Sequence, residues 1–207
     1  MGRKTFIVAA LTLTPAAALA APSPTSVTIG ADPTVVTYGS NVKLSGAVSP
    51  AKSMEVQVSG QACVTGQTQQ SPSTVTSTAQ GTWSATVTPA SKTVYQAKAK
   101  STDSPALTVQ VRPAVTLAKV ASHRFRTRIT AAQSFGGKIA LFQRHTPTGW
   151  KTVKNLVLVG LGSGNGTFVS GKTFRSGIRT HRTVRVLFTQ RQAGECYMAG
   201  ISSSIAI

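Results

Sequence analysis

Acidic residues are nearly missing from this 207-residue chain. Asp32, Glu55, Asp103 and Glu195 stand against 22 Lys and Arg. Glycosidase and aspartic-protease chemistry needs two converging carboxyl groups, which four scattered acids do not supply. Histidine is scarce too. His123, His145 and His181 show no spacing with Cys or Asp that fits a metal site. Cysteine is limited to Cys63 and Cys196, and a cysteine nucleophile needs a nearby base. The strand order derived below puts all three histidines at sandwich ends away from Cys196. The glycine-rich run Gly160–Gly166 lacks the Lys-Ser/Thr ending of a phosphate loop, so it reads as a flexible loop. No stretch reaches the ~20 consecutive apolar residues of a spanning helix. These absences lead us to expect no enzyme, no metal, no cofactor and no membrane span.

The N-terminus carries an address. Arg3 and Lys4 give a basic start, Thr5 to Ala17 is mostly apolar, and Ala18-Leu19-Ala20 is a small-residue cleavage pattern. Residues 1–20 therefore read as a secretory signal peptide, with Ala21 as the first mature residue. No Cys lies near the cleavage point, so a lipid anchor is not expected. An extracellular location, with possible attachment to a cell wall, follows. Asn165-Gly166-Thr167 fits a glycosylation acceptor, a pattern given little weight in a chain read as bacterial.

Charge divides the chain. Residues 22–111 hold five basic and three acidic residues, a net of +2; residues 112–207 hold fifteen and one, a net of +14. Such asymmetry points to two domains and to an anionic partner for the second. Arg112-Pro113 marks the boundary, since Pro removes a ladder donor. The expected domains are 21–111 and 112–207.

Period-2 alternation runs through the first of these. Val42, Leu44, Gly46 and Val48 face one way, as do Met54, Val56 and Val58, then Trp83, Ala85 and Val87, then Thr93, Tyr95, Ala97 and Ala99, then Leu107, Val109 and Val111. Turn residues break the runs every 8–12 positions, the mark of an antiparallel sandwich. The segments TYGSNVKLSGAVSP, Gly81–Trp83 and Thr93–Ala97 resemble a bacterial immunoglobulin-like domain, also close to the fibronectin III type. The resemblance implies a buried, backbone-bonded Tyr95 near the start of the sixth strand. It implies little about function, beyond adhesive, spacer or matrix roles.

The pattern then returns. Ile129 follows Val48 by 81 residues, Ile139 and Leu141 follow Val56 and Val58 by 83, and Phe174 and Val186 follow Trp83 and Tyr95 by 91. The fold expected is all-β: two tandem immunoglobulin-like antiparallel sandwiches. Trp150 and Leu156–Leu161 fill the middle strand of the second copy, which lacks a counterpart of Tyr95.

In that second copy Phe125, Thr127 and Ile129 face inward, so Arg124, Arg126 and Arg128 face outward. Phe174, Ser176 and Ile178 face inward, so Arg175 and Arg179 face outward. These two strands are neighbours in an immunoglobulin topology, so five arginines share one face. Arg suits bidentate contact with phosphate and carboxylate. The expected partner is an anionic cell-envelope polymer or glycan. A solvated basic surface with no partner stays open. A cationic antimicrobial or nucleic-acid-binding role is the alternative, disfavoured because Phe125 and Phe174 point away from any strand to be stacked.

Two cysteines in a secreted chain suggest a disulfide. Cys63 ends the third strand of the first domain, and Cys196 lies in the last hairpin of the second. In a tandem pair these ends meet at the linker, so a Cys63–Cys196 bridge is expected. Free thiols or pairing between chains remain open alternatives.

Overall fold

A computed structural model describes residues 25–64, 73–178 and 181–207. The signal peptide read at residues 1–20 lies outside them, as does Arg179. No helix among the described residues is long and apolar enough to cross a membrane.

Strand is the main secondary structure of the described chain, with one four-residue helix. The part before Pro113 forms β1 (Ser26–Val27), β2 (Gly30–Asp32), β3 (Val35–Thr37), β4 (Val42–Ser49), β5 (Glu55–Ala62), β6 (Ser73–Thr76), β7 (Thr82–Val87), β8 (Thr93–Ala99), β9 (Thr102–Asp103) and β10 (Leu107–Arg112). The rest forms β11 (Ala114–Ala121), β12 (Arg124–Ala131), β13 (Ile139–Thr146), β14 (Gly149–Val157), β15 (Val159–Gly164), β16 (Thr167–Arg175), β17 (Thr183–Phe188), the single-turn α1 (Gln190–Ala193), β18 (Gly200–Ile201) and β19 (Ile205–Ala206).

Four sheets result, and none mixes strands from before and after Pro113. In the first sheet β4 pairs with β1, β2 and β7. The second runs β3-β10-β8-β5-β6, with β9 on β8 and β3 parallel to β10. The third runs β11-β12-β16-β15, and the fourth β14-β13-β17-β18 with β19 also on β17. Placing the second and fifth main strands in one sheet and the third, sixth and seventh in the other is the immunoglobulin arrangement.

Alternation builds the cores. In β8, Thr93, Tyr95, Ala97 and Ala99 are buried while Val94, Gln96 and Lys98 are exposed. Gly46 of β4 is required by close approach: a Cβ there would meet the Thr28 carbonyl oxygen at 1.9 Å and Trp83 Cε2 at 2.8 Å. In the C-terminal half, Phe142 of β13 reaches across to Phe174 of β16 at 4.9 Å and Phe125 of β12 at 5.4 Å, joining the third and fourth sheets. Such ring pairs contribute about 1 kcal/mol each beyond area burial.

Three sequence expectations need correction. Ile139 and Leu141 do not fill the core positions of β13; Ala140 and Phe142 do, both fully buried. Every residue from Ile139 to Phe142 is apolar, so polarity alone did not set the parity, and the contact of Phe142 with two rings did. The supposed single middle strand is two strands in different sheets. Leu158 between them is buried, and its N–H donates to the Lys138 carbonyl while its own carbonyl accepts from Gly137 N–H, which fixes the crossover. The glycine-rich loop is mostly the edge strand β15. It returns to β16 through Asn165-Gly166, both at positive φ (49° and 72°), the two-residue hairpin turn that Asn-Gly favours.

Candidate anion-binding face

The arginine face grows from the inner face of β12. Phe125, Thr127 and Ile129 are buried, and the Thr127 hydroxyl donates to the Thr116 carbonyl at 2.9 Å. With those three fixed inward, the strand pleat turns Arg124, Arg126 and Arg128 to solvent, and all three are exposed. The antiparallel register sets Arg124 directly opposite Arg175 of β16, and Phe125 opposite Phe174. Four of the five arginines read from the sequence therefore share one outer face. Ser176 and Ile178 are buried as expected, although β16 ends at Arg175.

Nothing acidic neighbours this row. On β11, Thr116, Ala118 and Ala121 lie opposite Arg128, Arg126 and Arg124; on β16, Gly171 and Thr173 lie opposite Arg128 and Arg126. Among the described residues the one ion pair is Lys98–Asp103, at 4.0 Å in the N-terminal half. Glu195 sits near the other end of the sandwich: Tyr197, two residues on, bonds the amide of Ala132 just past the last residue of β12. Eight strand residues span about 25 Å, well over a Debye length in physiological salt. Two like charges about 5 Å apart in water repel by roughly 0.8 kcal/mol before screening. The row therefore carries positive charge with no carboxylate beside it.

The junction between the halves is covalent and hydrogen-bonded. Cys63 and Cys196 form the expected disulfide, with their Cα atoms 5.3 Å apart and 133 positions apart in sequence. This bridge removes both sulfurs as nucleophiles. Beside it, Lys92 N–H donates to the Cys196 carbonyl at 2.9 Å, and Met198 N–H donates to the Val111 carbonyl at 2.8 Å. Tyr197 spans the seam. Its hydroxyl accepts from Ala132 N–H at 2.9 Å and donates to the Ala90 carbonyl at 2.7 Å. Burial raises its pKa to about 12, and the Ala132 amide opposes that shift. Tyr38 adds a bond across the halves from its hydroxyl to Thr167 Oγ1 at 2.8 Å. The buried tyrosine missing from β17 is thus supplied by the segment after α1. Tyr95 is buried as the resemblance implies, its pKa also raised to about 12 by burial, against a smaller opposing effect of the hydrogen bond it shares with the Thr93 side chain.

Sequence reasoning missed a second polar array, on the outer face of the fourth sheet. The Arg185 guanidinium lies 4.0 Å over the Trp150 ring, Arg185 Nε donates to Gln143 Oε1 at 3.0 Å, and His145 meets the Trp150 edge at 5.1 Å. Desolvation lowers the Arg185 pKa from its ordinary value. The alternation of β17, with Val184, Val186 and Phe188 buried, was the signal that places Arg185 outside.

No family model and no curated protein sequence matches the chain. Among solved structures it is similar to the human OSCAR ligand-binding domain, with a TM-score of 0.31 at 14% identity over 90% of this chain and 100% of that one. It is similar to purple acid phosphatase PPD1 from yellow lupin, with a TM-score of 0.42 at 11% identity over 86% of this chain and 40% of that one. A marsupial T cell receptor aligns with a TM-score of 0.29 at 11% identity over 88% of this chain and all of that one. Superpositions this loose lend this chain none of those proteins' properties.

Proposed function

We propose that this chain is a secreted, non-catalytic binding module of a bacterial cell envelope, made of two immunoglobulin-like units in tandem. The basic second unit holds it to an anionic wall polymer or surface glycan. The observation that carries this reading is the row Arg124, Arg126, Arg128 and Arg175 on one exposed sheet face with no acid opposite any of them. Guanidinium groups spaced by the strand pleat at about 7 Å match repeating phosphates or carboxylates better than one compact ligand. The bonded junction fits the same reading, because a rigid pair presents the row in a fixed direction.

The test is retention of the folded protein on immobilised teichoic acid or polyuronate at low salt. Wild type should be held and released by added salt. Arg124→Gln/Arg126→Gln/Arg128→Gln should pass through. Equal retention of the variant would remove the arginine row from the account. Retention on double-stranded DNA in preference to either polymer would favour a nucleic-acid-binding role.

A further inference from the structure

A second cationic feature lies at the end of the C-terminal sandwich where β12 starts and β13 ends. A cleft of about 470 Å³ opens there, lined by Arg144 at the end of β13, Val153 of β14, Gly177 and Ile178 after β16, and Arg182 before β17. Its size falls within the range of small-molecule sites, larger than a bare inorganic ion needs. Two of its five lining residues are arginines, both permanently charged. No carboxylate side chain pairs with either among the described residues. Beside Arg182, the Ile207 carbonyl accepts from the His181 backbone N–H, and Ile207 N–H donates to the Arg182 carbonyl.

Arg144 supplies an independent pointer. Its Nε is buried and meets no hydrogen-bond partner among the described residues. A buried, charged donor left unpaired costs stability, and one persisting in a folded protein calls for an ion, a water or a ligand group. The origin of this placement is local. A register shift between Phe142 and Gln143 interrupts the β13–β14 ladder just before Arg144. Gln143 faces Arg185 on the outer side, and Arg144 lies opposite Lys151 and Val184. Val184 is buried, so Arg144 is on the inward side, at the open end of the core. Lys154 adds positive charge close by, its ammonium donating to the Arg175 carbonyl at 3.1 Å.

We propose that this cleft is a binding site for a single oxyanion, phosphate or carboxylate, carried on a small organic unit such as a sugar. The oxyanion sits between Arg144 and Arg182, and the unit bearing it lies against Val153 and Ile178. The inference deepens the proposed function: the arginine row would hold the polymer along its length, and the cleft would take one of its charged units. The Arg124–Arg175 pair lies at the same end of the sandwich, at the start of β12 and the end of β16.

The experiment follows the Arg side-chain Nε–Hε resonances by NMR while the full mature chain is titrated with glucose 1-phosphate, glucuronate, glucose and sodium chloride at matched ionic strength. The Arg144 Nε–Hε signal should shift saturably with the phosphate ester, the uronate or both, and the responding ligand names the source of the oxyanion. Glucose and sodium chloride should leave it in place. Arg182→Gln, an exposed substitution that leaves the core intact, should weaken the binding about tenfold, the loss expected for one charge-assisted bond. No saturable shift with either anion, or unchanged affinity in Arg182→Gln, would overturn the proposal. Arg124→Gln/Arg126→Gln/Arg128→Gln separates this result from the fate of the polymer reading. That variant should keep the small-ligand shift while losing polymer retention. Retention that survives in it, beside an intact shift, would sink the row and leave the cleft standing.

Discussion

Strand β4 of the N-terminal half and β12 of the C-terminal half hold the same place in their sheets and face solvent with opposite chemistry. Inward, β4 buries Val42, Leu44 and Val48, and β12 buries Phe125, Thr127 and Ile129. Outward, β4 and its partner β7 show Lys43, Ser45 and Ala47 beside Thr86, Ser84 and Thr82. The matching face of β12 and β16 shows Arg124, Arg126 and Arg128 beside Arg175, Thr173 and Gly171. The fold tolerates a near-neutral serine and threonine face at this position. The arginines are therefore not there to make the sheet, and repulsion between them works slightly against it.

The halves can be pushed apart experimentally, and removing the bridge between them has the largest expected effect. Cys63→Ser/Cys196→Ser should lower unfolding free energy by up to about 5 kcal/mol on chain entropy alone, with measured losses often smaller. Denaturant melting followed at Trp83 and Trp150, one in each half, should then show two separate transitions. A single unchanged transition would mean the junction's hydrogen bonds suffice.

Next in size is the core. Phe142→Ala removes the ring that joins the third and fourth sheets and should cost about 3–5 kcal/mol. Trp150 fluorescence should report the loss before Trp83 does in the bridge-free background.

Smaller is the contribution of the buried tyrosines. Tyr95 and Tyr197 both carry a folded-state pKa of about 12 against an ordinary 10.0. The folded state thus keeps protons that the unfolded state gives up. Stability should be flat below about pH 10 and fall as pH rises from there through about 12. Tyr197→Phe should lose about 1–3 kcal/mol at neutral pH, because Ala90 and Ala132 lose their shared partner, and should flatten part of the alkaline decline. Chemical denaturation at a series of pH values measures both.

Smallest in stability is the arginine row itself. Arg124→Gln/Arg126→Gln/Arg128→Gln should stay within about 0.5 kcal/mol of wild type per residue, or gain slightly from relieved repulsion. A large loss would assign the row to the fold.

The same comparison explains what the amino-acid order made legible. Where apolar and polar residues alternate strictly, as in TWSATV or RFRTRI, inward and outward faces were readable, and with them four arginines of the face. The Cys63–Cys196 pairing was readable because strand order alone brings those two loops to the linker. Where apolar residues occupy both parities, as from Ile139 to Phe142 and from Leu156 to Leu161, the facing depended on tertiary contacts that no period carries. The strand VGLGSG hid behind its glycines, though Asn165-Gly166 signalled a hairpin. The cleft at Arg144 was the least legible feature, because a local register shift and residues from four places in the chain assemble it.

The central claim is that charge on one face of the C-terminal half, rather than net charge, binds the polymer. Two variants remove the same three charges: Arg124→Gln/Arg126→Gln/Arg128→Gln, and Lys43→Gln/Lys52→Gln/Lys92→Gln in the N-terminal half. Affinity for soluble teichoic acid or polyuronate is then measured across a salt series, where the slope of log affinity against log salt counts the charges engaged. The account predicts a slope reduced by about 2–3 for the arginine variant and unchanged for the lysine variant. Equal slopes in the two variants would contradict it.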